Sequence, residues 1–279
     1  MGITLNDASD PSPADLLAVA AAASRAAGAV LVERLGRPAS IASKNDRTSV
    51  VTDVDVEAQA EIERVVSGHF PHHSIRGEEG RGGAESGPLT WLVDPLDGTS
   101  NFAHGVPMAC TSIAVSDDAG VVAGAIFEPF REELFTAVRG GGAWLGPERL
   151  HVSATAALEH ALVCTGVQSD EPEAVAAFGR RIVTLISQCR AVRTLGSPAL
   201  CLAYVAAGRI DAFLEADSTY AWDVAAGSLM ITEAGGRIED LDGGPLNLGA
   251  GLANVLASNG RLHDALASLE GDVAVTRRP

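Results

Sequence analysis

Residues 91–102 read WLVDPLDGTSNF, an apolar strand pattern followed by a turn pattern. The run at 91–93 is typical of a buried strand, Pro95 cannot extend a central strand, and Asp97 with the glycine after it marks a tight turn. Asp94 and Asp97 therefore leave the end of a buried strand, where an unpaired carboxylate is costly and a hard divalent cation would neutralise both. The backbone after Asp97 can offer N–H groups to a phosphate. A plain strand ending in an Asp-Gly turn is the alternative for this segment alone.

The length and hydropathy of the chain predict a soluble, cytoplasmic protein that does not bind membranes. The chain has 279 residues, enough for one large domain or two smaller ones, and 47% of them are hydrophobic. The nearest approach to a membrane-spanning run, residues 18–32, is interrupted by Ser24 and Arg25 and follows no signal-peptide pattern.

Charge and cysteine usage exclude several classes of partner. The net charge of −16 argues against nucleic acids and anionic membranes, and an acidic protein that handles phosphate needs bound cations. The four cysteines have no paired spacing, which predicts reduced, buried thiols rather than disulfides or a zinc site. No Cys-x5-Arg motif offers a cysteine nucleophile.

The first half of the chain predicts helices packed on an antiparallel sheet. Ser12 and Pro13 signal the start of a helix that runs to about Leu35, and a second helix opens near Asp53. Between them, 41–51 reads as a polar loop. Short apolar runs with close turns predict an antiparallel meander of strands at 111–116, 121–127 and 133–138.

The second half alternates strand and helix patterns, which indicates an α/β layer. A change of composition near residue 150 divides the chain into an N-terminal α+β domain, 1–150, and a C-terminal α/β domain, 151–279.

Two further acidic positions stand at the ends of predicted elements. Glu78 and Glu79 end a short strand before a glycine-rich loop at 80–87, which we expect to be mobile. Asp223 opens a helix, where capping is the plainer interpretation.

Three motifs together resemble the inositol monophosphatase family, part of a metal-dependent, lithium-sensitive phosphatase superfamily. In one-letter code they are EE at 78–79, DPLDGTSNF at 94–102, and WDVAAG at 222–227 with EAGG at 233–236. They occur in the family's order and span nearly the whole chain, from about Ala14 to Leu269. The resemblance implies a layered αβαβα sandwich of the inositol monophosphatase and fructose-1,6-bisphosphatase type, and a homodimer.

The resemblance also implies the ligands of two or three Mg²⁺ ions per subunit. Glu78, Asp94 and the Leu96 carbonyl would hold the first ion. The second would lie between Asp94, Asp97 and Asp223. Glu78 with waters would hold a third, weaker ion, which makes this residue catalytic as well as a ligand. The three-metal set predicts inhibition by lithium.

Further residues match the family's substrate-handling positions. Backbone N–H groups of Gly98 and Thr99 would bind the phosphate, and Thr99 with Asp55 would position or deprotonate the attacking water. Glu79 would lie close to the metal ligands, and Lys44 matches the lysine of the family's mobile loop. The residues that would contact the alcohol part of the substrate are Asp97, Gly196, Ser197, Glu215 and Asp223.

The chain departs from the family at three places. Gln59 stands four residues after Asp55, where the family commonly has Glu, and this weakens any supporting role there. The family's Gly-Ser/Thr-Ala-Ala is here Gly-Ser-Pro-Ala, at 196–199. The segment before Asp223 carries one residue more than usual, which leaves the register of Glu215 open.

The implied reaction is hydrolysis of a phosphate monoester by direct in-line attack of water, with two metal ions ~3.5–4 Å apart clamping the attacking and leaving oxygens. Inositol monophosphate is the preferred candidate substrate. A histidinol or amino-cyclitol phosphate is the alternative, because Glu215 and Asp217 would suit a cationic amine. 3′-Phosphoadenosine 5′-phosphate and fructose 1,6-bisphosphate rank lower, since Glu215 would repel a second phosphate. The non-enzyme alternative is a scaffold or regulatory protein that retains the fold.

Overall fold

The computed structural model describes residues 11–43, 50–83, 87–246, 248–249 and 252–275. Its helices are α1 Pro13–Arg34, α2 Asp53–His69, α3 Thr99–Ala103, α4 Pro172–Gln188, α5 Pro198–Ala206, α6 Ala221–Glu233 and α7 His263–Val275. Its strands are β1 Ile41–Ser43, β2 Val50–Thr52, β3 Ser74–Gly77, β4 Gly80–Gly83, β5 Thr90–Asp97, β6 Cys110–Asp117, β7 Gly120–Glu128, β8 Glu133–Val138, β9 Gly142–Leu145, β10 Glu148–Arg149, β11 Leu162–Gly166, β12 Ala191–Arg193, β13 Ala212–Thr219, β14 Arg237–Glu239 and β15 Ala253–Ser258.

An eight-stranded sheet forms the first half, in the order β10-β9-β8-β7-β6-β5-β3-β4. All neighbours are antiparallel except β3 and β5, which run parallel. The predicted meander is confirmed as β6, β7 and β8. One face of this sheet packs on α1 and α2, through a core that includes Leu16, Ala23, Ile62, Trp91 and Val93.

A five-stranded sheet, β12-β11-β13-β15-β14, forms the second half. Its outer face packs through Val163, Leu214 and Leu256 on a core that also takes in Leu185 of α4 and Leu266 of α7. Its inner face shares a hydrophobic cluster with the first sheet, and α5 and α6 lie in that cluster. The layers therefore run α, β, α, β, α, and the predicted sandwich is confirmed.

Small residues let the central helix layer approach its neighbours. Every residue of α5 is buried. A side chain on Gly227 of α6 would clash with Leu202 of α5, and a Cβ on Gly124 of β7 would lie 3.0 Å from the Cα of Ala226. Close backbone packing follows from these glycines, and it brings the start of α6 near the end of β5.

Helix α1 is the described helix whose length and composition would suit a membrane span. Here it is a core helix, because Leu16, Val19, Ala27 and Leu31 are buried against the sheet and α2. Its start is the predicted one, with Ser12 and the Asp15 carboxylate forming a capping box.

Two segments differ from the sequence-based expectation. Residues 41–51 were expected to form a polar loop, but Ile41 pairs with Thr52 in the antiparallel ladder of β1 and β2. The glycine-rich stretch after Glu79 begins as strand β4, because a two-residue turn folds it back onto β3 with Gly77 opposite Gly80. The division at residue 150 stays a prediction.

Candidate active site

The end of β5 carries its two aspartates on one side of the sheet. Residues three apart on a regular strand face opposite sides, but here the register against β6 shifts between Asp94 and Asp97. The extra residue of this bulge turns both carboxylates toward the same place, and Pro95 falls within it. Asp94 and Asp97 are 2% and 4% exposed. The Asp94 Oδ1 accepts the Leu96 N–H at 2.9 Å, which fixes the turn.

Gly98 makes the turn from β5 into α3. Its φ of +93° lies in the left-handed region, and a Cβ there would lie 2.8 Å from the Met108 carbonyl oxygen. Thr99 is the first residue of α3, and the first N–H groups of a helix have no partner inside it. The Asn101 amide donates to the carbonyls of Met108 and Leu195 at 2.9 and 2.7 Å, which ties this turn to the second half.

Asp55 combines a capping role with a contact to the site. Its Oδ2 accepts the N–H and the hydroxyl of Thr52 at 2.7 and 2.6 Å, so it caps its own helix. Its Oδ1 lies 3.1 Å from the Thr99 hydroxyl, which is also 3.0 Å from the Leu96 carbonyl oxygen. Burial raises the pKa of Asp55 to about 6, and the charges of Glu78 and Glu79 add to the shift.

Glu78 and Glu79 form the two-residue turn between β3 and β4. The Glu78 N–H donates to the Val93 carbonyl at 3.1 Å, and the Glu79 N–H donates to Gln59 Oε1 at 3.0 Å. The side chain of Glu78 is hydrogen-bonded to Asp94. Burial, together with the charges of Glu78, Asp97 and Asp223, raises the pKa of Asp94 well above its ordinary value.

Asp223 brings a carboxylate from the second half. It lies in the first turn of α6, is 9% exposed, and accepts the Tyr220 N–H at 2.7 Å. The capping interpretation is therefore correct, and the same carboxylate also faces the acidic turn. Burial and the charges of Glu78 and Asp97 raise the pKa of Asp223 well above its usual range.

Asp97 joins the two halves directly. Its Oδ2 accepts the Ser197 hydroxyl at 2.5 Å and the Ala199 N–H at 2.8 Å, at the start of α5. Burial raises the pKa of Asp97 to about 7, although these hydrogen bonds oppose the shift. Cys110 adds a longer sulfur contact of 3.7 Å. Gly196, with φ +71°, lets the backbone turn beside the Asn101 amide.

Glu215 lies in β13 with a defined register, paired with Gly166 on one side and Val255 on the other. It is 3% exposed, its Oε2 occupies the space that a Gly166 side chain would need, and its charge acts on Asp223. The ladder to β15 is irregular only after Glu215, before Thr219. The pairing of Glu215 with both neighbouring strands is therefore regular, and its equivalence to the family's substrate-side carboxylate stays a prediction.

The carboxylates are close enough to raise one another's pKa values, and no cation is among the main influences on Asp94 or Asp223. They are not yet arranged as a complete set of metal ligands. In the described ranges, no three Asp, Glu, His or Cys side chains lie close enough together to hold one ion. The chemistry of the set still fits a hard divalent cation, which takes carboxylate and carbonyl oxygens and keeps several waters.

The structure brings together most of the residues that the sequence singled out. Lys44 lies outside the described residues, and the side chain of Asp217 is likewise not described. Sequence reasoning missed Asn101 and Cys110, and it discounted Gln59. Asn101 stands inside the quoted motif, so its position next to a turn was the available signal.

The layered sandwich, together with the family match and the relatives given next, defines the class as a phosphatase of the inositol monophosphatase and fructose-1,6-bisphosphatase superfamily. The family model described as "Inositol monophosphatase family" matches residues 12–273. The chain belongs to the inositol monophosphatase family.

Individual relatives agree with this assignment. An inositol-1-monophosphatase from Synechocystis is 37% identical over 260 residues, 92% of this chain and 90% of the relative. A Nus factor SuhB from Pseudomonas aeruginosa is 37% identical over 257 residues, 90% of this chain and 94% of the relative. The solved structure of an IMPase from Thermotoga maritima is similar with a TM-score of 0.86 and 34% identity, and the match covers 95% of this chain and all of the other.

Proposed function

We propose that this protein hydrolyses small phosphate monoesters with the help of Mg²⁺, and that an inositol monophosphate is its first substrate. The observation that carries the proposal is the approach of Glu78, Asp94, Asp97 and Asp223, which come from three separate segments of the chain. Such a concentration of buried carboxylates destabilises the metal-free protein and is relieved by bound cations.

The residues that would hold the ions follow from the arrangement. Glu78, Asp94 and the Leu96 carbonyl would bind one Mg²⁺. Asp94, Asp97 and Asp223 would draw together around a second ion, and Glu78 would hold a third. When bound, the ions would stabilise charge on the phosphoryl and leaving oxygens and lower the pKa of the attacking water.

The start of α3 would position the phosphate. The N–H groups of Gly98 and Thr99 lie where β5 turns into the helix, and free N–H groups at such a turn attract phosphate oxygens. Asp97 Oδ2 already accepts hydrogen bonds from Ser197 and Ala199, so its Oδ1 is the oxygen that would bind the metal ion beside the phosphate.

Thr99 and Asp55 would remove a proton from the attacking water. The water gives a proton to the Thr99 oxygen while the hydroxyl passes its own proton to Asp55 Oδ1, 3.1 Å away. A carboxyl with a pKa of about 6 is ionised at neutral pH yet basic enough for this role. The oxygen of water then attacks phosphorus in line, and the ester P–O bond breaks with its electron pair going to the alcohol oxygen, which takes a proton from solvent water. No phosphoenzyme forms.

The alcohol part of the substrate would lie against residues of the second half. Gly196 and Ser197 adjoin Asp97, and Glu215 adjoins Asp223. The carboxylate of Glu215 would accept hydrogen bonds from hydroxyl groups and attract a cationic amine, which favours polyol and amino-alcohol phosphates over bisphosphates.

Phosphate release from a substrate panel tests the proposal. The panel contains myo-inositol 1-phosphate, histidinol phosphate, fructose 1,6-bisphosphate and 3′-phosphoadenosine 5′-phosphate, each assayed with Mg²⁺ and with chelator. We expect Mg²⁺-dependent release, fastest with myo-inositol 1-phosphate and inhibited by lithium. Preference for histidinol phosphate would select the amine alternative, and comparable rates on all four would indicate a broad phosphatase.

No release from any substrate would contradict the enzymatic proposal. A regulatory role would then be the preferred interpretation, since relatives of similar identity are named Nus factors.

We further propose that the protein is a cytoplasmic homodimer without nucleic-acid or membrane partners. Sedimentation velocity tests the dimer, and a species of one-subunit mass, 28.6 kDa, at micromolar concentration would contradict it.

A further inference from the structure

Gln59 joins helix α2 to the turn that carries Glu78 and Glu79. It is 6% exposed, and its Oε1 accepts the Glu79 N–H at 3.0 Å. The Glu78 N–H donates to the Val93 carbonyl at 3.1 Å. The backbone of both glutamates is thus held, one by β5 and the other by Gln59.

Both strands of the hairpin leave room for this contact. A side chain on Gly77 of β3 would clash with Gln59 Oε1, and a Cβ on Gly82 of β4 would lie 2.7 Å from the Glu63 carboxyl carbon. The Gln59 Nε2 donates to Glu63 Oε1 at 3.0 Å, one turn further along α2. The Gln59–Glu63 pair therefore fills the space above two glycines, one on each side of the acidic turn.

The amide also supplies its hydrogen bonds without a charge. Asp55 precedes Gln59 by one helical turn on α2, and the charges of Glu78 and Glu79 already raise the Asp55 pKa. A carboxylate at position 59 would face Glu63 at the distance where the amide nitrogen now donates. A neutral residue with both an acceptor and a donor satisfies Glu79 and Glu63 together.

We propose that Gln59 is a positioning residue for the metal site, which fixes the backbone of the Glu78–Glu79 turn and so sets the affinity for Mg²⁺. This inference rests on the proposed function, in which Glu78 is a metal ligand. Residues that orient metal ligands by hydrogen bonds typically contribute about 10- to 100-fold to metal affinity.

The test compares two variants of the full-length protein. Gln59→Met keeps the approximate size and removes both hydrogen bonds. The double variant Gln59→Glu/Glu63→Gln exchanges donor and acceptor, so a carboxylate at 59 still accepts from the Glu79 N–H and from an amide at 63, at unchanged net charge. Calorimetric titration of Mg²⁺ into metal-free protein gives the affinity, and hydrogen exchange of the Glu79 amide in the metal-free protein reports the turn.

We expect Gln59→Met to weaken Mg²⁺ binding about 10-fold, to speed exchange at Glu79, and to change kcat at saturating Mg²⁺ less than about twofold. The exchanged pair should return all three values to within about twofold of the unchanged protein. Wild-type affinity in Gln59→Met, or an exchanged pair as weak as Gln59→Met, would overturn the inference.

Two controls separate positioning from general stability. Ile62→Val shortens a buried side chain on the same helix and lowers stability without touching the Glu78–Glu79 turn, and it should leave Mg²⁺ affinity unchanged. Gln188→Met, at the exposed end of α4, should change neither reading. If Ile62→Val weakens binding as much as Gln59→Met, the positioning role is wrong. If the unchanged protein binds no Mg²⁺, the proposed function fails. Hydrogen exchange of the Glu79 amide in the metal-free protein then still shows whether Gln59 holds the turn in place.

Discussion

The Ser197 hydroxyl donates a 2.5 Å hydrogen bond to Asp97 Oδ2, across a separation of 100 residues. This bond connects the end of β5 in the first sheet to the start of α5 in the central helix layer. The Ala199 N–H donates to the same oxygen at 2.8 Å. A carboxylate held in this way at a helix start is oriented by both halves of the chain.

Removing this hydroxyl should weaken both the fold and the metal site. Hydrogen bonds to charged groups contribute about 1.5–3 kcal/mol, so we expect Ser197→Ala to lower the free energy of unfolding at pH 8 by that amount. The half-saturating Mg²⁺ concentration should rise. Urea unfolding and Mg²⁺ titration measure the two effects. Ser24→Ala is the matched control, since that buried hydroxyl bonds only a neutral carbonyl in α1 and lies outside the site.

Asp97→Asn should abolish turnover and leave the fold intact. The substitution keeps the shape of the side chain but removes the negative charge that a divalent ion requires. Phosphate release should fall below detection, while circular dichroism stays unchanged. Asp117→Asn removes a partly exposed carboxylate at a strand end beside Arg139 and should keep full activity. Near-normal activity in Asp97→Asn would show that the metal assignment is wrong.

Gly166→Ala should act on the substrate through Glu215. The new methyl group would occupy the position of Glu215 Oε2, so the carboxylate must move. We expect KM for myo-inositol 1-phosphate to rise about 10-fold, since one or two hydrogen bonds to the alcohol part are lost. Gly179→Ala, on the exposed face of α4 with open space around its Cβ position, should leave KM unaltered. An unchanged KM in Gly166→Ala would remove Glu215 from the substrate contacts.

Metal-free protein should lose stability as the pH rises from 5.5 to 8. The folded-state pKa values of Asp55 and Asp97, about 6 and about 7, lie above the unfolded value of 3.8. The folded state therefore binds more protons than the unfolded state in this range, and the free energy of unfolding falls with rising pH. The contribution is complete below pH 3.8 and is lost as the pH passes through about 7.

Thermal unfolding at several pH values measures this slope, with chelator and with Mg²⁺. Bound Mg²⁺ should flatten the curve, because it stabilises the ionised carboxylates. A metal-free protein whose stability is constant or increases over the same range would contradict the burial of these two groups.

The local motifs of the site were predictable because each is encoded within a few residues. The aspartates 94 and 97, the turn at Gly98 and the helix start at Asp223 follow from short-range backbone preferences. The meander in the first half and the alternation of strands and helices in the second indicated the type of each half, whereas the layer order was implied by the resemblance to a known family.

The remaining parts depend on contacts between distant segments. The role of Gln59 requires the glycines of the β3–β4 hairpin to lie against α2, and spacing along the chain does not encode that approach. The register of Glu215 depends on where β13 and β15 place their bulge. Strand β4 has too few side chains to show a strand pattern, so its pairing with β3 was not predictable.

The separation between Asp55 and Asp223 has a consequence during synthesis. Chains emerge from the ribosome with the N-terminal end first, so the helix of Asp55 and strand β5, which ends at Asp97, are available before the second half. Until α6 and the start of α5 have emerged, the nascent chain holds acidic side chains that lack both Ser197 and the last carboxylate. A polypeptide released early would therefore carry the signature motif without hydrolytic activity.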